Sequence, residues 1–277
     1  ARADGADLRL SSNKTLDGTH TFAWYQLEKN ATLSITAGKA LRIEAQRIVI
    51  SGDIDGRGAG HAGGASQSPG TGPGAGGKGT NAGGGGGGYG GAGGRGGYDG
   101  SDTRGAAGPA NGGAATTAID MGSGGAGGAA IGGAGGGSLT LVAEEIVISG
   151  DVDMDGLAGS GGDAQNGGGG SGGGILLIAQ HITLSGSLSA RGGAGGSGSS
   201  TYQDGGGGGG GGRIKVFHGG DYKRSGTLFV DGGAGGRYGD QAHGEAGKLG
   251  STHSDKQPYT RLAVTVGAEA SPEAPAP

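Results

Sequence analysis

Three stretches of this chain can be laid over one another without a gap, and that repetition restricts the fold more than any other feature. Leu41-Arg42-Ile43-Glu44-Ala45-Gln46-Arg47-Ile48-Val49-Ile50-Ser51-Gly52-Asp53-Ile54 aligns with Leu139 to Val152 and with Ile175 to Leu188. A looser fourth copy carries Ile214, Val216, Ser225-Gly226 and Leu228. Beyond the four Ser-Gly steps, at a constant interval, stand Gly58, Gly156, Gly192 and Gly232. Within a copy the apolar residues alternate, as at Leu41, Ile43 and Ala45 and again at Ile48 and Ile50, the pattern of a strand with one buried face.

Between Ala45 and Ile48 the alternation slips by one residue. Such a slip turns every later side chain to the other face, unless the chain rounds a corner there. Ser51-Gly52 is a second candidate corner, because glycine accepts the dihedrals of a sharp bend. Strand, corner, strand, corner, strand outlines one coil of an all-β, β-solenoid-like stack. Each copy in such a stack buries its apolar face against the next. The expected organisation is a single domain over 1–267, with repeats near 41–58, 138–156, 175–192 and 213–232. Residues 1–40 read as an N-terminal cap, since Thr21-Phe22-Ala23-Trp24 and Leu33-Ser34-Ile35 are strand-like and would shield the open end. Arg261 to Val266 alternates once more and reads as a last strand, followed by a Pro/Ala-rich linker or tail at 268–277.

Between the copies lie glycine-rich insertions, a long one at about 58–137 and shorter ones near 156–174, 192–212 and 232–250. Glycine makes up 80 of the 277 residues. Collagen is excluded, because no Gly-X-Y register is sustained and only 7 residues are proline. Ordering a glycine loop is entropically costly, so two outcomes are open. The insertions are flexible, or they pack as a polyglycine-II helix bundle, extended helices of three residues per turn that exchange lateral N–H···O=C bonds.

The net charge of -4 argues against nucleic acid, which calls for a basic footprint, and no apolar run is long enough for a membrane span. Cysteine is absent, which removes disulfides and thiolate metal sites. The opening Ala1-Arg2-Ala3-Asp4 fits a secretory signal already removed.

Motifs that suggest chemistry mostly dissolve on inspection. Gly72-x4-Gly77-Lys78 has the spacing of a phosphate loop, but Gly79 stands where a Ser or Thr is required. Asp151, Asp153 and Asp155, followed by Gly156, open like a calcium loop, yet the twelfth position is Gly162 where a bidentate Glu belongs. What survives is a weak Ca²⁺ site on these three carboxylates, set against a plain solvent-facing strand. The six histidines are scattered, without ligand spacing. No catalytic constellation is expected, and the chain reads as a non-enzyme. Tyr89, Tyr98, Tyr202 and Tyr238 stand out, because all four lie in glycine-rich stretches beside charged residues. Tyrosine on such a backbone suits a binding loop; equally, it could plug a glycine bundle.

The series of glycine run, strand, Ile-x-Ile-Ser-Gly-x-Ile-x-x-x-Gly and Gly-Gly-Ala-Gly-Gly resembles glycine-rich repeat proteins of bacterial surfaces and secretomes. The glycine segments separately resemble the polyglycine-II bundles of phage tail-fibre adhesins and a springtail antifreeze protein. The resemblance implies a secreted or cell-surface protein acting as spacer, fibre component or contact module. Its partner would be a surface or matrix component, a glycan, or another copy of the chain. A receptor- or glycan-binding adhesin working through the tyrosine loops is the alternative, and an ice-binding protein the third.

Overall fold

The computed structural model describes residues 7–98, 103–162, 165–198, 204–237 and 243–258. The expected strand at 261–266 and the tail at 268–277 lie outside the described residues. Short strands open the chain: β1 (Leu8–Leu10), β2 (Lys14–Leu16), β3 (Gly18–Thr21), β4 (Trp24–Leu27) and β5 (Thr32–Ile35). Three long strands follow, each with a short companion: β6 (Ala40–Ile50) with β7 (Asp53–Asp55), β8 (Ser138–Ile148) with β9 (Asp151–Asp153), and β10 (Gly174–Leu184) with β11 (Ser187–Ser189). The last set is β12 (Arg213–His218), β13 (Tyr222–Arg224), β14 (Thr227–Phe229) and β15 (Ser251–Lys256).

The strands form two sheets in which every pairing is parallel. One runs β1-β4-β6-β8-β10-β12-β15, with β3 also on β6 and β13 also on β10; the other runs β14-β11-β9-β7-β5-β2. The repeat fixes the register: Leu41 pairs with Leu139, Leu139 with Ile175, and Ile175 with Ile214. Further along the same strands Ile50, Ile148 and Leu184 form a second row. The short sheet answers with Leu33, Ile54, Val152, Leu188 and Leu228. All but Leu228 belong to one buried apolar cluster, against which Leu228 packs half-buried. Each Leu or Ile so enclosed is worth about 1.5–3 kcal/mol of transfer free energy.

The expectation of an all-β solenoid is overturned by this arrangement. Two wholly parallel sheets, joined by long crossovers, have the strand directions of an α/β protein, although no helix occurs among the described residues. The physical reason lies in two places. Ala45 to Ile48 is no corner: β6 runs straight through it within one sheet. The slip occurs at the same place in β8 and β10, where Gln46, Glu144 and Gln180 are passed over together, so the register survives on both sides. Parallel strands also require crossover connections of a dozen or more residues. Here the glycine segments supply the crossovers from β7 to β8, β9 to β10, β11 to β12 and β14 to β15. In β6, β8 and β10 the Ser-Gly step turns the chain from the large sheet to the short one.

One excursion folds back over the large sheet. Residues 111–120 cross its outer face, where Ile119 lies against Gly174. Arg213 donates to the carbonyls of Asn111 and Gly112, both at 2.8 Å. The Lys215 ammonium donates to the carbonyls of Gly113 and Ala118 at 2.6 Å and of Thr116 at 3.0 Å. Three donors meet three acceptors, which is how a buried ammonium is accommodated. Its burial, and the adjacent Arg213 charge, lower the Lys215 pKa.

Candidate functional site

Beyond the strands, the described residues of the glycine segments hydrogen-bond in a pattern that repeats every three residues. The N–H groups of Gly206, Gly209 and Gly212 donate to Gly196, Gly193 and Ala190; those of Gly207 and Gly210 to Gly84 and Gly87; those of Gly208 and Gly211 to Glu245 and Lys248. Gly83 and Gly86 likewise address Gly97 and Gly94, Gly84 and Gly87 address Asn166 and Gly169, and Gly85 and Gly88 address Gly77 and Gly74. A backbone that turns to a new neighbour at each residue and returns at the fourth is an extended helix of three residues per turn. At most of these glycines no side chain fits. A Cβ on Gly86 would collide with the carbonyl oxygen of Gly208, and one on Gly87 with that of Ser123.

The rods bring residues that are remote in sequence to one end of the bundle, away from the strands. Gly97 N–H donates to Gly205, Gly96 N–H to Gly105, and Glu245 N–H to Arg95. On this end stands Tyr98, 40 % exposed, with the Arg104 guanidinium 5.2 Å from its ring centroid. Arg104 Nε donates to the carbonyl of Gly96 at 2.7 Å, and its other arm lies 3.2 Å from the Glu245 carboxylate. Tyr98, Arg104 and Glu245 therefore place an aromatic ring, a cation and an anion side by side. Such a cluster offers a stacking face and both hydrogen-bonding polarities to a polar ligand.

The four predicted tyrosines part ways. Tyr98 is presented outward, as a binding residue would be. Tyr89 is an internal anchor: it is 1 % exposed, its hydroxyl accepts the Asp120 N–H at 2.8 Å, and burial pushes its pKa up to about 12. It pins the 111–120 crossover to the glycine rods. Tyr202 and Tyr238 lie outside the described residues. Arg104 and Glu245 were not singled out from sequence, since 141 positions separate them and only the rod packing unites them.

The three aspartates of the calcium-like motif lie on the outer face of the short sheet, and protein donors occupy them. Ser187 Oγ donates to Asp151 at 2.6 Å. Asp155 receives Ser189 Oγ at 2.6 Å and the Arg191 N–H at 2.5 Å. Asp153 accepts the Asp155 N–H at 2.8 Å. Asp153 and Asp155 lie along one strand and its extension rather than around a common centre. No group of three or more His, Asp or Glu residues that could hold a metal ion occurs among the described residues. Nor is any helix there long and apolar enough to cross a membrane.

Compared with known proteins, the chain matches no family model, no curated protein and no solved structure.

Proposed function

We propose that this protein is a non-catalytic contact module of an extracellular surface or matrix, which presents a ligand-binding tip on glycine rods joined to two parallel sheets. The observation that carries this reading is the Tyr98–Arg104–Glu245 cluster. An exposed tyrosine flanked by paired charges suits a glycan, whose ring faces stack on aromatics while its hydroxyls bond to the charges. Preorganisation supports the same reading, because a tip held by backbone hydrogen bonds loses little freedom when it binds.

The test is a glycan array probed with the labelled chain, in parallel with Tyr98→Ala and Arg104→Ala. Each substitution should weaken retention about tenfold, the size of a single contact of about 1.4 kcal/mol, and leave the melting temperature in place. Undiminished binding by both variants would reject the tip as the contact. Absence of any glycan binding by the native chain would favour the spacer role.

A further inference from the structure

Neighbouring strands of a sheet stand about 4.8 Å apart, so in-register side chains on one face become close neighbours. On the outer face of the short sheet this sets Asp55 beside Asp153. Asp53 is likewise brought to Asp151, whose N–H reaches the Asp53 carboxylate at 3.4 Å. The flanking strands place hydroxyls at these positions: Thr32 and Ser34 on one side, Ser187 and Ser189 on the other. Register thus places acidic residues side by side across the β7–β9 seam.

Two further facts distinguish this seam. Only two register pairs join β7 to β9, whereas β5–β7, β9–β11 and β11–β14 each have three. It is also where the longest glycine excursion leaves and re-enters the stack, so no short connection holds the two strands together. The charges around Asp153 are Asp53, Asp55 and Arg57 on the β7 side and Asp151 and Asp155 on its own side. Across β11 lies Arg191, itself 3.4 Å from Asp231; β5 contributes only the uncharged Thr32 and Ser34. Arg57 stands 3.6 Å from both Asp55 and Asp153, too far for a good hydrogen bond.

We propose that the β7–β9 seam is a proton-responsive joint that closes more firmly when its surroundings turn mildly acidic. A proton on Asp153 removes its repulsion with the carboxylates set beside it across the seam and along its own strand, and gives it a donor of its own. Burial raises the Asp153 pKa to about 6, with the charges of Asp155 and Asp55 adding to it and the Asp155 N–H and the Arg57 charge opposing it. A carboxyl with a raised pKa in the folded state takes up a proton that the unfolded chain releases. The resulting stabilisation is present at low pH and is lost as pH rises through about 6.

Hydrogen exchange on the full chain tests this directly. The Gly56 and Gly58 amides donate across the seam to the carbonyls of Asp153 and Asp155. After correction for intrinsic exchange, both should be protected about tenfold more at pH 5 than at pH 7.5. In Asp153→Asn the protection should be high at both pH values. Equal protection of the native chain at the two pH values would overturn the proposal, as would a pH dependence that persists in the variant. Carboxyl-carbon NMR of the native chain gives a second measurement that does not rely on the variant folding: a midpoint for Asp153 near the ordinary 3.8 would also overturn it.

Discussion

Ile148 and Gly209 are both closed off from water, yet for opposite reasons. Ile148 sits in a row with Ile50 and Leu184, where each side chain fills the space its neighbours leave. Gly209 sits where the carbonyl of Gly170 occupies the very position a Cβ would take. The strand stack is specified by what its residues add, and the rods by what theirs lack. Burial in the stack comes from apolar area, whereas burial in the rods comes from backbone groups satisfying one another.

That contrast can be broken from either side. The largest effect is expected in the stack: Ile148→Ala should cost about 3–4 kcal/mol, since it removes buried carbons and leaves a cavity between two sheets that cannot close. Denaturant unfolding with an unchanged slope would measure it. In the rods the damage comes from a gain of one carbon. Gly209→Ala should cost about 2–3 kcal/mol through overpacking against Gly170, while Gly162→Ala, whose Cβ would meet nothing nearer than Ala130 at 4.0 Å, should fall within about 0.5 kcal/mol of the native chain. Equal losses at the two glycines would mean that glycine content, rather than clearance, governs the bundle.

Between these extremes lies the crossover over the large sheet. Lys215→Met should cost about 2 kcal/mol, because three carbonyls lose a buried donor, and should speed amide exchange in 111–120 more than in β12. Uniform loosening of both would assign Lys215 to the stack instead.

The same contrast explains which features could be read in advance. The alternation in Leu41–Ile54 and its copies marks strands, and their gapless alignment gives the in-register pairing of Leu41, Leu139 and Ile175, because apolar rows announce themselves in sequence. β15 gives no such sign: Ser251-Thr252-His253-Ser254-Asp255-Lys256 has no apolar face and is held by main-chain pairing to β12. The bend expected at Ala45–Ile48 failed because a slip repeated in every strand is invisible to register, although it looks disruptive in any one copy. The tip cluster was half legible. Tyr98 was marked by its setting, but Arg104 and Glu245 depend on which rods lie side by side, and a run of glycines has no side chains to encode that choice.

The three-residue turn of the rods carries a consequence for how such a molecule can change its dimensions. Insertion of one or two residues into an arm would rotate every later N–H toward the wrong partner, whereas insertion of three restores each donor to its direction. At about 3.1 Å per residue, one triplet added to every outgoing and returning arm would raise the bundle by about 9 Å, without altering a single contact among the sheets. Reach is therefore a length this architecture can adjust in discrete steps, independently of the part that makes it stable.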